Sequence, residues 1–154
     1  MLNKYIIFIF LICTSCASMN NNSNINNTSP YNFYCYFSFT KTEEDFCKHW
    51  INPAIIYPKD KKNHAAVARY AYSIKHLGLA LFAANEWFKL DPSASDSNFA
   101  IGIILGVVGL KSSAQAKLNY VVNKNENVFL VRRATRALIE LDETGVLKRE
   151  KNSI

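Results

Sequence analysis

Ser95-Asp96-Ser97-Asn98-Phe99-Ala100-Ile101-Gly102-Ile103-Ile104-Leu105-Gly106-Val107-Val108-Gly109-Leu110 reads as the buried centre of an all-helical protein. From Asn98 to Leu110 the stretch is almost wholly apolar, and Ser95 and Asp96 offer caps just before it. A helix that is apolar on every side has to be surrounded by protein. Gly102, Gly106 and Gly109 are then places where another helix approaches closely. The run is shorter than the roughly 20 residues needed to span a bilayer. Interfacial insertion or an oligomer contact is the competing reading, because Gly102 and Gly106 have the small-xxx-small spacing of membrane helix pairs. A phosphate loop does not fit, since Leu110 separates Gly109 from Lys111-Ser112 and no strand precedes them.

Upstream, Asp60 is a plausible cap for a helix rich in Ala, Tyr and Leu that runs to Trp87 and Leu90 and stops at Asp91-Pro92. Its polar side changes along the way. Arg69, Ser73 and His76 share one side, whereas Asn85, Glu86 and Lys89 fall opposite, so the helix bends or ends near Gly78, or changes neighbours along its length. Before it, Pro53 and Pro58 place Asn52 to Lys59 in a loop. Thr42 with Glu43, Glu44 and Asp45 marks a short helix ending near Ile51. Tyr31 to Thr40 alternates, with Tyr31, Phe33, Cys35, Phe37 and Phe39 on one side, which is strand periodicity. With no second alternating segment to pair with, it is expected as an extended aromatic arm packed over helices.

Downstream, Ser112 with Gln115 has the spacing of a capping box for a helix reaching Val122, and Asn123-Lys124-Asn125 is a turn. The last helix is expected from about Val128 to Leu141. Leu130, Ala134, Ala137, Leu138 and Leu141 point inward on it, and Arg133, Arg136 and Glu140 point outward. Gly145 ends it, and the charged tail 146–154 is expected to fray. The fold class is therefore all-α: a compact bundle or stacked helical hairpins of five or six helices over 31–145. Val131-Arg132-Arg133-Ala134 through Ala137-Leu138 resembles the inner helix of a HEAT-type repeat, and Trp87 to Asp91-Pro92 resembles the end of a tetratricopeptide repeat. Neither recurs at a fixed period, so they bear only on the plausibility of stacked hairpins.

At the N-terminus, Met1-Leu2-Asn3-Lys4 carries one positive charge and Tyr5 to Ile12 is an unbroken apolar run. This is the order of a secretory signal. It ends in Cys13-Thr14-Ser15-Cys16-Ala17, which resembles the lipobox of bacterial lipoproteins, with Cys13 standing where an aliphatic residue is usual. The resemblance implies that 1–15 is a signal peptide and that Cys16 carries lipid as the mature first residue. Ordinary cleavage after Ala17 is the alternative. With no aspartate after Cys16, the resemblance favours the outer membrane, facing the periplasm, in a two-membrane cell. Residues 16–30 are dominated by Asn and Ser and form a tether too polar to repay the entropy of ordering.

Cys35 and Cys47 are an even pair in a chain bound for an oxidising space, so a disulfide is expected between them. The net charge of +6 is spread along the chain and favours contact with anionic lipid or an acidic partner over nucleic acid. His49, His64 and His76 have no accompanying acidic cluster; His64 and His76 lie about 120° apart on an ideal helix, a poor metal pair. No cofactor is expected. Ser112 and Ser113 lack a recognisable base, and Arg132, Arg133 and Arg136 are candidates for partner contact. The expected function is that of an exported, membrane-tethered, non-enzymatic binding or accessory subunit of a cell-envelope assembly. A lipid-binding envelope protein using Phe99 to Leu110, or a small envelope hydrolase at Ser112, are the alternatives.

Overall fold

The computed structural model of the protein describes residues 29–36, 40–150 and 154. Cys16, the signal and the tether to Thr28 lie outside the described residues, as do Phe37 and Phe39 of the expected arm. Among the described residues there are seven helices and no strand. They are α1 (Pro30–Tyr36), α2 (41–56), α3 (Lys61–Ser73), α4 (Leu77–Leu90), α5 (Ser95–Val107), α6 (Lys111–Lys124) and α7 (Val128–Thr144). None is long and apolar enough to cross a membrane.

The extended arm is corrected to a helix over Pro30–Tyr36. Pro30 suits a first helical position, where its missing N–H costs nothing. A lone strand would leave its ladder groups unpaired, whereas a helix satisfies them within itself. Tyr31 is buried and Tyr34 and Cys35 are half-buried, which is helical spacing, while Asn32 and Tyr36 face solvent. The alternation in sequence arose because aromatics occupy nearly every position, so period 2 and period 3.6 fit equally.

α2 is also longer than expected. Its N-cap is Thr40, not Thr42: the Thr40 hydroxyl accepts from the Glu43 N–H and the Glu43 carboxylate accepts from the Thr40 N–H, a complete capping box. The helix then passes through a π-helical turn, Cys47–Ile51, and resumes as α-helix over Asn52–Ile56. Pro53 sits in the first turn of that resumed segment, so the residues expected as a loop from Asn52 are helical as far as Ile56. The π turn places Phe46, Cys47, Ile51 and Ala54 together in the core.

Cys47 forms the expected disulfide with Cys35, Cα atoms 5.6 Å apart, and staples α1 to α2. A second attachment holds α1 from inside. The Tyr31 hydroxyl and His64 Nδ1 are 2.8 Å apart. His64 Nε2 lies 2.8 Å from the Pro58 carbonyl. A carbonyl only accepts, so Nε2 carries the proton and Tyr31 donates to Nδ1. Both side chains are buried, and burial, with a lesser push from the Glu86 carboxylate, raises the Tyr31 phenol well above its ordinary value. It stays a neutral donor.

The long helix expected from Asp60 to Leu90 breaks three residues before Gly78. Asp60 caps α3 by accepting from the Lys62 N–H. At the other end Lys75 takes a left-handed φ of 72°. His76 N–H donates to Ala71 O and Lys75 N–H to Tyr72 O, the paired bonds of a Schellman stop. The same device recurs at Gly109, φ 85°, between α5 and α6. Here the helix-ending glycine comes from the apolar stretch itself.

α5 is the buried centre, as expected: Ser97 through Ile104 and Gly106 are all buried. A Cβ on Gly102 would lie 2.8 Å from Leu118 Cγ, so α6 approaches closely there. Ser95 and Asp96 do not cap α5. It starts at Ser95, with Ala94 before it and no side-chain cap bond. Nor do Ser112 and Gln115 form a capping box, because α6 begins at Lys111 and Gln115 donates to the Asp142 carboxylate instead. Successive helices pack on one another, α3 on α4, α4 on α5, α5 on α6 and α6 on α7, with α1 and α2 closing the α3–α4 end. The opposite end of the series is α7.

The tail does not fray where it is described. Leu147 is buried against Gly106, whose carbonyl accepts the Leu147 N–H at 3.0 Å. The Arg149 guanidinium donates to the carbonyls of Tyr72 and Ser73 in the last turn of α3. Thus the chain end returns across α5 to clasp the first half of the fold.

Candidate functional site

α7 is held at both ends. The Asn127 side chain accepts from the Phe129 and Leu130 N–H groups, and Gly145 closes the helix at φ 78°. The turn ahead of it is tied down by charge. Lys124 pairs with Glu126 at 3.0 Å and also reaches the Ser93 carbonyl, while Ser95 donates to Glu126. Lys124 is the main cause of the lowered Glu126 carboxyl, which stays an ionised anchor at neutral pH.

Leu130, Ala134, Ala137 and Leu141 are the buried face of α7, as expected from spacing. The other side is not a uniformly polar surface. Phe129 is 78% exposed, Val128 67% and Ile139 54%. At roughly 100° per residue these three share an arc of about 120° with Arg132, Thr135 and Arg136. Arg132 and Arg136 are exposed and lie inside the arc, between Val128 and Ile139 on one edge and Phe129 on the other. Neither makes an ion pair or hydrogen bond among the described residues.

Arg133 is separated from them. Its guanidinium lies over the Phe99 ring at 4.8 Å, on the side of α7 that meets α5. A pocket of about 90 Å³ opens there, lined by apolar Phe99, Ile103, Ala137 and Leu147 and by Arg133, Arg136, Glu140, Lys148 and Glu150. Both signs of charge line it, and Glu140 accepts from the Lys148 N–H. The structure therefore divides the expected arginine cluster: Arg133 lies over Phe99, Arg136 is exposed at the rim of the same pocket, and Arg132 stands clear of it.

Nothing matches. No protein-family model, curated protein or solved structure corresponds to this chain.

The remaining sequence candidates do not converge. Ser112 is exposed in the first turn of α6, and neither it nor Ser113 makes a side-chain hydrogen bond among the described residues. His64 is buried between Tyr31 and Pro58, His76 lies against the Tyr34 ring at 5.0 Å outside any helix, and His49 is exposed on α2. They are on separate elements, not on one helix. No group of three or more metal-binding side chains occurs among the described residues. Of the stretch Phe99 to Leu110, the side chains as far as Ile104 are buried, and Val108 and Leu110, past the end of α5, are exposed. Phe129, Val128 and Ile139 were the residues sequence reading passed over. Their signal was there: large apolar residues lying off the inward stripe of the same helix.

Proposed function

We propose that this protein is an exported lipoprotein, anchored through Cys16 and tethered by residues 16–30. In this reading it serves as a non-enzymatic binding or accessory subunit of a cell-envelope assembly, and it docks through the outer face of α7. In a two-membrane cell the residue after the anchor, Ala17, favours the outer membrane facing the periplasm. The observation that carries the docking reading is the exposure of Phe129, Val128 and Ile139 around Arg132 and Arg136, which make no ion pair among the described residues. The end helix of a stack ordinarily presents a polar outer face, because nothing follows to cover it. An apolar one marks a surface that another molecule covers.

The test is a double substitution, Phe129→Asp with Ile139→Asp. Both side chains are exposed, so thermal stability should stay within about 0.5 kcal/mol of the parent. In membranes solubilised with mild detergent, the parent should run in a native gel as part of a larger complex and the variant as the free protein. A parent that runs free, or a folded variant that stays in the complex, contradicts the reading.

A further inference from the structure

We infer that the outer face of α7 seats an acidic amphipathic helix of a partner protein, with two carboxylates four residues apart set against Arg132 and Arg136. This deepens the docking reading above and rests on it. Arg132 and Arg136 are themselves one helical turn apart, so their Cβ atoms are about 6 Å apart along the axis. Carboxylates at the same spacing on a facing helix can meet each guanidinium in a two-pronged pair, and the flanking Val128, Ile139 and Phe129 receive apolar side chains on either side. Such an arrangement places the charged pairs inside an apolar rim, where water is excluded and the pairing is strongest.

The position of the arginines within the arc distinguishes this occupant from two others. A helix that lies in a lipid surface keeps its cations on the flank, with an uninterrupted apolar face toward the acyl chains. On α7 the guanidinia stand between the apolar residues, so immersing the face would bury them. A second copy of the chain fits less well than an acidic helix. α7 runs from 128 to 144, and an antiparallel pairing that overlaps the two helices fully sets Arg136 against Arg136 at the two-fold axis.

The probes are a synthetic helical peptide with two glutamates four residues apart flanked by leucine and phenylalanine, and its counterpart with lysines. Binding to the full-length protein in neutral detergent is read by fluorescence anisotropy. The glutamate peptide should bind at least tenfold more tightly than the lysine peptide, with affinity falling as salt rises. Arg132→Glu with Arg136→Glu should invert the preference, and Arg132→Lys with Arg136→Lys should keep its sign. Equal binding of the two peptides overturns the inference, as does an unchanged preference in a folded charge-reversed variant. So does a dimer in sedimentation that the charge reversal dissolves. A fluorophore at position 139 that shifts to the blue in anionic phosphatidylglycerol vesicles, without peptide, overturns it in favour of lipid. A native complex lost on Phe129→Asp with Ile139→Asp, alongside no peptide preference, sinks the acidic helix while leaving the docking reading intact.

Discussion

Replacing Cys35 and Cys47 together by alanine should lower the stability of the protein by about 3 kcal/mol. The two cysteines are 12 residues apart in sequence, and constraining a loop of that length in the unfolded chain accounts for about this amount in the chain-entropy model. In a domain of this size the midpoint of thermal unfolding should fall by roughly 10–15 °C. The parent should show the same loss when measured with a reducing agent, and the double variant should be indifferent to it. The folded state should still retain α1, because Tyr31 remains bonded to His64 and edge-on to Phe82 at 5.0 Å. A loss under 1 kcal/mol would mean that the staple adds nothing to that buried attachment.

Gly102→Val should cost about 2–3 kcal/mol, through the close approach of α6 to α5. The first added carbon would sit 2.8 Å from Leu118 Cγ, 2.9 Å from Leu118 Cδ2 and 3.3 Å from Lys117 Cβ. Leu118 is fully buried, so any shift it makes has to be taken up inside the core, and the two further carbons of valine demand a larger one than alanine's single methyl. Overpacking of this kind typically costs about 1–3 kcal/mol, and valine recovers only part of the helix propensity that glycine lacks. Alanine separates the two contributions. It gains about 1 kcal/mol of propensity against a smaller clash, so Gly102→Ala should be close to neutral. Gly78 is the control, since a Cβ there meets no atom within 4 Å. Chemical denaturation of the three variants reads the difference, and a Gly102→Val as stable as the parent would show that α5 and α6 part easily.

The contrast between these glycines explains how far the sequence could be read. Asn98 to Val107 was legible because an apolar run with no polar side calls for burial, and the all-α class follows from it; the end of the run was not, since Val108 and Leu110 lie past the helix and are exposed. Tyr31 to Tyr36 is ambiguous because aromatics at nearly every position satisfy two periodicities at once. The break between α3 and α4 was visible as a change of polar face, but its place was not. It lies at Lys75, a residue with no preference for the left-handed region it occupies. Leu147 and Arg149 were unreadable for another reason. Arg149 meets Tyr72 across 77 residues of chain, and no local pattern encodes such a contact. At the site, Arg132, Arg133 and Arg136 were legible as a cluster. Its division required knowing that Phe99 lies beneath Arg133 and that Phe129 stays exposed among the described residues.

That last point is the centre of the account, and site-specific photocrosslinking in intact cells tests it most directly. A photoreactive residue is placed at Phe129, at Ile139 and, as a control, at Asn119, an exposed position on α6. The account predicts that Phe129 and Ile139 crosslink to the same envelope protein and that Asn119 does not. Crosslinking that is equal at all three positions, or to no protein at Phe129 and Ile139, would contradict it.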